Sequence, residues 1–370
     1  VDIVGMRLVK QRLLRPARAT VHEVVYCLGA VQAQDYGGAA WAVGQRAQSL
    51  TRTDVDAALA DGTVLRTHVL RPTWHLVARE DIRWMLELTA PRVRRQMAFG
   101  DRRDGLDEET FTRSNRVLAA ALHGGRQMTR AELRDVFADA GVNVANPSAL
   151  NRLTMRAELD AVVCSGAVRG RQHTYALLDD RAPPAPPILR EEALARLAAR
   201  YFGGHGPAIV KDFAWWSGLP VGEATLGVRN AQPALQQETH GSSTYWFAAS
   251  AAPRRATGPQ AHLLPNYDEY TVGYADRSPV IALEDLPRLR ARDDSIFTNV
   301  VLLDGLIVGT WGRTLGTRDV RITVNRLRPQ EADEVAAIET AATRYGAFLA
   351  LRPTVHFRDA PPNATRFTTR

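Results

Sequence analysis

Residues 181–187 read Arg-Ala-Pro-Pro-Ala-Pro-Pro, and four prolines in five positions constrain the fold more than any other stretch. Proline fixes φ and lacks the N–H that a helix interior or a central strand needs, so this segment favours a stiff, extended spacer. The chain is cut there into two parts of similar length, and each part must build its own elements. With 45% hydrophobic and 24% charged residues it has the composition of a normally packed protein and not of a disordered one.

On both sides of the spacer the same order of elements recurs. Thr20 with Glu23 predicts a capping box opening a helix over Val21–Leu28, and a second helix is expected around Asp54–Ala60, stopping at Asp61-Gly62. TVLRTHVLRPTWHLV then reads as two strands joined around Arg71-Pro72. In a second round, a helix over Phe111–Leu122, one opened by Thr129 and Glu132, and a long helix from Asn146-Pro147-Ser148 to Gly166 precede AVRGRQHTYALL. That last stretch reads as strand, basic turn at Arg169–Gln172, and strand. Helices followed by a small hairpin is the winged-helix order. After the spacer, a helix over Leu189–Phe202 is expected to break at Gly203-Gly204-His205-Gly206, with Pro207 opening PAIVKDFAWWSG. A short helix in VGEATLGVRNAQPAL and a strand in GSSTYWFAA complete a third, looser round.

The remainder differs. Asp304-Gly305 between two apolar runs is the strongest short-range hairpin signal in the chain. RDVRITVNRLRP reads as a strand, EADEVAAIETAATRYGAFLA as an amphipathic helix and PTVHFRD as a final strand. The expected class is therefore α+β: three tandem winged-helix motifs, at 1–105, 106–180 and 188–255, with a β-rich α+β part at 256–370.

Lys plus Arg is 47 against 40 Asp plus Glu, a formal net charge of +7. This excludes an acidic binding module and fits an anionic partner such as nucleic acid, without proving one. The positive side is mostly arginine, whose planar fork suits phosphates and base edges. Two distant cysteines, Cys27 and Cys164, exclude a cysteine-built zinc site and a disulfide scaffold, and read as buried thiols in a reducing compartment. No apolar run reaches the length of a membrane span, and the first residues lack the pattern of a secretory signal, so a cytoplasmic, nucleoid-associated protein is expected. No GxGxxG before a strand, Walker A, HExxH or GxSxG motif occurs, which removes most support for nucleotide hydrolysis and serine chemistry.

Gln32-Ala33-Gln34 is the most informative local feature. Amides at i and i+2 share a face only on extended backbone; on a helix they point about 200° apart. They follow a helix and precede a glycine pair, where the chain can leave helical geometry. Two such amides could orient a water, or could satisfy backbone groups at the helix end. Asp35 beside them has real basicity, and reads as a general base or as a helix cap or ion-pair partner. His68 and His75 flank the hairpin and could face one another or meet a phosphate; no third ligand recurs at metal-binding spacing. Asp268-Glu269 reads equally as an acid–base pair or as a turn bonded to an arginine. Arg71 on the first wing, Arg92, Arg94 and Arg95 on a helix, Arg169 and Arg171 on the second wing, and Arg313 and Arg318 around a turn could touch phosphates or form solvated faces.

Together, VQAQDYGGAAWAVGQR, RTHVLRPTWHLV and LLPNYDEYTVGY resemble the winged-helix HTH_42 family of DNA glycosylases, in particular its crosslink-directed AlkZ type. The resemblance covers essentially the whole chain in motif order. It implies three tandem winged helices with a β-rich C-terminal part, and an essential motif of glutamine, an apolar residue, then glutamine or aspartate. Here that is Gln32, Ala33 and Gln34, the two-glutamine form, with alanine the smallest version of the middle position. A hairpin near the motif that probes the duplex is also implied, with the wing near Arg71 and the loop at Arg313–Arg318 as candidates.

The implied activity is monofunctional hydrolysis of the N-glycosidic bond of N7-alkylated purines, interstrand crosslinks included, to leave an abasic site. Catalytic roles then fall to Gln32 and Gln34, with Asp35 second, and DNA contacts to His68 and the arginines above. Alkylation at N7 already activates the leaving base, so little acid catalysis is needed. The nearest preceding lysine is Lys10, so no Schiff-base step is expected. A crosslinked base cannot leave the stack fully, so an open cleft is expected in place of a deep flipped-base pocket. The expected partner is double-stranded DNA carrying alkylated or crosslinked guanine, with no metal, no cofactor, no membrane and no protein partner, and the chain is expected to be a monomer. Two other classes remain: a non-catalytic winged-helix DNA-binding protein, and a metal-dependent nuclease built on Asp268 and Glu269.

Overall fold

The computed structural model describes residues 2–14, 16–144, 146–249, 258–281 and 298–359; the boundary expected at 255–256 lies outside them. The chain forms two compact units. The first comprises Val1–Arg52, Ala199–Phe213 and Ala234–Arg370, the second Thr53–Ala198 and Ala214–Pro233. In chain order the strands are β1 (Val31–Gln32), β2 (Val64–His68), β3 (Trp74–Ala78), β4 (Met128–Thr129), β5 (Val163–Ser165), β6 (Thr174–Leu177), β7 (Leu235–His240), β8 (Ser243–Ala248), β9 (Ala261–Leu264), β10 (Val300–Leu303), β11 (Leu306–Leu315), β12 (Asp319–Arg326) and β13 (Arg352–Asp359). The architecture is mixed α+β, as expected.

In the second unit the two capping and turn signals act where they stand. β2 and β3 pair antiparallel from Val64↔Ala78 to His68↔Trp74, around Arg71-Pro72. Thr129 and Glu132 close a reciprocal capping box on the helix Arg130–Asp139. The helices Glu108–Leu122, Arg130–Asp139 and Pro147–Leu159 enclose an apolar cluster that includes Phe111, Leu118, Leu133, Phe137 and Leu153. The last of these helices is shorter than expected. Ala161 takes a positive φ of 57° and Val162 N–H bonds back to the Ala157 carbonyl, closing the helix. Val163–Ser165 then leaves as β5 and pairs with β6, so the wing uses this strand in place of residues 167–168.

The first unit is built on a five-stranded sheet in the order β13-β12-β11-β10-β9. β9 through β12 are antiparallel neighbours, with β10 turning into β11 at Asp304-Gly305, and β13 joins β12 in parallel after the helix Ala332–Leu349. The helix Arg190–His205 runs through Gly203-Gly204 and does not break there. A Cβ on Gly204 would lie 2.4 Å from the Cys27 carbonyl oxygen, so this glycine serves close approach to the helix Val21–Leu28. Pro207 does not open the next helix either. Ala208 exchanges two backbone hydrogen bonds with Trp246, and the helix starts at Val210. β8 has a partner the sequence did not suggest: β7, Leu-Gln-Gln-Glu-Thr-His, exposed at five of its six positions and so without the alternation that marks a half-buried strand. Among the described residues no helix is long and apolar enough to cross a membrane.

Candidate active site

The segment carrying the two glutamines leaves helical geometry: it is strand at Val31–Gln32 and bends at Gln34. Val31 and Gln32 are in strand conformation, Ala33 and Gln34 continue without helical geometry, and a helix begins at Tyr36. Gln32 is 7% exposed and Ala33 fully buried, whereas Gln34 is exposed. The middle residue thus fills the core while the second amide opens to solvent.

Asp35 caps the helix Tyr36–Gly44, its carboxylate accepting from Gly38 N–H at 3.2 Å. Its other oxygen lies 3.8 Å from Nη2 of half-buried Arg313. Both structural roles weighed for Asp35 are therefore present, and Arg313, one of the expected DNA-contact residues, stands beside the motif.

That helix, Tyr-Gly-Gly-Ala-Ala-Trp-Ala-Val-Gly, is small-residue rich and therefore packs closely. A Cβ on Gly44 would strike the Phe348 ring at 2.5 Å. Trp41 donates its indole N–H to the Leu263 carbonyl at 2.6 Å, and Trp311 does the same to Leu264 at 2.7 Å. Both indoles meet the Tyr345 ring edge-on, at 5.1 and 5.2 Å. The helix behind the glutamines is thus fixed to β9, and β9 runs directly into Pro265-Asn266-Tyr267-Asp268-Glu269.

This second motif is the other half of the site. Glu269 is completely buried; one carboxylate oxygen accepts from Gln32 backbone N–H at 2.8 Å and the other lies 3.1 Å from His205 Nε2. The buried imidazole and carboxyl are thus within hydrogen-bond distance of each other. Tyr201 stacks on the imidazole at 4.8 Å with an 11° tilt and holds its plane. Asp268 is engaged otherwise. It caps Tyr270 N–H and receives Arg46 on both oxygens, at 2.6 and 2.8 Å, with both side chains fully buried. Arg46 also donates to Gln11 Oε1, and Gln11 donates to the Tyr274 hydroxyl. Asp268 is thus the turn bonded to an arginine. Glu269 acts on the glutamine segment, a role that spacing alone did not reveal.

Asn266 was also missed. Its backbone N–H is held by Asn299, and its side-chain oxygen is buried without a hydrogen-bond partner. That oxygen lies 2.8 Å from the point a Gly38 Cβ would occupy, with Asp35 Oδ2 at 3.2 Å from the same point. The glycine pair after Gln34 therefore brings a third amide and the Asp35 carboxylate to one corner. The signal for it was in the sequence, as PNYDEY, but was read for its acids alone.

The remaining expected residues lie elsewhere. His68 is 3% exposed; its Nδ1 contacts buried Glu158 and its ring packs on Trp74 at 4.3 Å, which corrects its assignment to a phosphate. His75 is buried and meets the Thr73 carbonyl, and the register sets it across from Thr67, so the two histidines do not face each other. Arg94 pairs with Asp160 at 2.5 Å and Arg169 with Glu132 at 2.8 Å. Arg71 and Arg92 are half-buried, while Arg95, Arg171 and Arg318 are exposed. Lys10 donates to the Ala248 carbonyl, and burial lowers its pKa from the usual lysine value. Cys27 and Cys164 are free thiols, the latter pushed up to about 12 by burial. Among the described residues no cluster of three His, Cys, Asp or Glu side chains could hold a metal ion.

Two glutamines on a non-helical segment before a capped helix, with the Gln32 backbone tied to a buried carboxylate in a mixed α+β fold, define a class of chain that comparison identifies. The family model for AlkZ-like DNA glycosylases matches residues 25–348, and the chain belongs to that family. A relative from Streptomyces sahachiroi, named as an interstrand DNA cross-link repair glycosylase, is 24% identical over 331 residues, covering 84% of this chain and 86% of its own. The solved structure of the DNA glycosylase AlkZ from the same organism superposes with a TM-score of 0.76 at 21% identity, covering 96% of this chain and 98% of that one.

Proposed function

We propose that this chain is a monofunctional DNA glycosylase that hydrolyses the N-glycosidic bond of N7-alkylated purines, interstrand crosslinks included, and leaves an abasic site. The observation that carries this reading is the non-helical Gln32-Ala33-Gln34 segment in a member of this family, with Gln32 held through its backbone and Gln34 open to solvent. The fold is read as three tandem winged helices, at 1–105, 106–180 and 188–255, with the β-rich remainder at 256–370. The partner is double-stranded DNA, met by a monomer in the cytoplasm through Arg71, Arg92, Arg94, Arg95, Arg169, Arg171, Arg313 and Arg318.

In the reaction, Gln34 and Gln32 hold a water against the sugar C1′. Their carbonyl oxygens stabilise the positive charge that develops on the sugar as the C1′–N9 bond lengthens. The bonding pair leaves with the base and neutralises its alkylation charge, so no protonation of the leaving group is required. Water oxygen bonds to C1′ and its proton passes to solvent. Asp35, fixed as a cap, adds negative potential beside the amides. Glu269, with His205 behind it, is a positioning residue: it fixes the backbone from which Gln32 projects.

The test is duplex DNA carrying an N7-alkylguanine monoadduct or crosslink, assayed for released base and abasic sites without added metal. Gln34→Ala and Gln32→Ala are each expected to lower base release by about a hundredfold or more. Full activity in both removes the mechanism. No release by the wild-type chain, with duplex binding retained, leaves the non-catalytic DNA-binding protein, and release that needs magnesium favours the nuclease.

A further inference from the structure

The second unit contains a cleft that the glycosylase reading does not use. Its volume is about 520 Å³, within the range of sites that take small organic ligands. Arg66 comes to it from β2, Trp74 from β3, Arg130 and Arg134 from the first turns of one helix, and His173 and Tyr175 from the second wing.

Its lining has two chemical halves. The polar half is the Arg130 and Arg134 guanidiniums with the His173 imidazole, and no carboxylate is among the lining residues. Glu158, the acid behind this wall, is 2% exposed and is engaged by His68 and by the Trp74 indole N–H. Arg134 is paired with its exposed neighbour Asp135 at 3.3 Å, a contact that competes weakly with a bound anion. Arg130 and Arg134 stand one turn apart on a ten-residue helix, and their charge adds to its positive N-terminal end. The apolar half is flat: Trp74 with the Arg66 guanidinium laid over it at 4.3 Å, buried Tyr175, and Leu150.

We propose that this cleft binds a nucleotide unit, its phosphate on Arg130 and Arg134 and its base against the Trp74–Arg66 and Tyr175 wall. A phosphate alone would leave the flat half bare, and an uncharged ring would leave the arginines unmatched. The unit can come from a free mononucleotide or from a nucleotide within a single strand.

The experiment titrates the full chain with dGMP, deoxyguanosine, inorganic phosphate and a five-nucleotide single strand, read by calorimetry and tryptophan fluorescence. Binding of dGMP is expected, at least about tenfold tighter than deoxyguanosine or phosphate. Arg134→Glu and Arg130→Ala are each expected to weaken it by about tenfold or more, and Trp74→Phe to remove the fluorescence change. Arg134 is exposed, so its variant tests the cleft without disturbing the core. Tighter binding of the strand than of dGMP assigns the site to nucleic acid, and the reverse assigns it to a free nucleotide. Phosphate binding as tightly as dGMP, or dGMP binding that ignores both arginine substitutions, overturns the proposal. Base release from alkylated DNA plays no part in these readouts, so the glycosylase reading stands or falls separately.

Discussion

The polar network beside the glutamine segment in the first unit and the helical cluster of the second are built on opposite rules. Behind the glutamine segment lie Arg7, Gln11, Arg46, His205, Asp212, Asp268 and Glu269, all buried and joined by hydrogen bonds or ion pairs. The cluster inside the helices 108–122, 130–139 and 147–159 is Leu, Phe and Val with one alanine and one tyrosine, and holds no charged side chain. An apolar cluster tolerates shifts of its members, because dispersion and burial are non-directional. A buried polar network does not, because each group left unpaired is costly. Directional bonding is therefore concentrated where the backbone of Gln32 must be held in one place.

The largest effect should come from Arg46→Met. It leaves the Asp268 carboxylate buried without its guanidinium and frees Gln11, and breaking a buried pair of this kind costs about 3–5 kcal/mol. Urea denaturation measures it. Base release per folded molecule should fall as well, because Asp268 anchors the turn that carries Glu269. A loss below about 1 kcal/mol would mean that the network does not hold this region.

Leu153→Ala is the matching probe of the apolar region. Leu153 is fully buried in the helical cluster, and its truncation should cost about 2–5 kcal/mol by lost burial and cavity formation. Base release per folded molecule should stay at the wild-type value. A change in rate equal to that of Arg46→Met would erase the distinction between the two regions.

What could be read from the sequence follows the same division. Local signals were legible: both threonine capping boxes, the Asp304-Gly305 hairpin and the Arg71-Pro72 turn stand where the residues placed them, and the chain leaves helical geometry at the glutamines. Glycine misled where its role was tertiary. Gly203-Gly204-His205-Gly206 reads as a helix stop, and the helix does end within it at His205, but it runs through the two glycines, of which Gly204 sits against the Cys27 carbonyl. Glu269 and Asn266 could not be placed, because their partners Gln32 and Gly38 are more than two hundred residues away and no periodicity encodes that pairing. His68 could be read as meeting a phosphate because Glu158, its buried partner, is ninety positions downstream.

Gly38→Ala tests the corner shared by Asp35 and Asn266. The new methyl would lie 2.8 Å from Asn266 Oδ1 and 3.2 Å from Asp35 Oδ2, so one of the two must move. Overpacking of this kind costs about 1–3 kcal/mol, less than either core change, since Asn266 is only half-buried. Base release should fall by more than the stability loss explains. Equal stability and full activity would show that Asn266 and Asp35 need not stand together.

The smallest effect expected is in the pH dependence of stability, and it has opposite sign for Asp104 in the second unit and buried Asp212 in the first. In the second unit Asp104 is held below the usual carboxylate range, first by the Ser148 hydroxyl and then by Arg152. Asp107 is lowered by Thr110 and Glu132 by Thr129 backbone N–H. For these groups the unfolded chain binds more protons than the folded one. Their contribution is complete above the ordinary carboxylate range and is lost as pH falls through the lowered folded values. Asp212 in the first unit is raised, chiefly by burial, although Arg7 and three backbone N–H groups oppose the shift. Here the folded chain binds the extra proton, so the contribution is present below the unfolded value and is lost as pH rises through the folded one. Asp104→Asn should therefore flatten the fall in stability on acidification, and Asp212→Asn should steepen it. Urea midpoints measured across the acid range check both, and slopes that change in the same direction would show that Asp104 and Asp212 do not differ in how they are held.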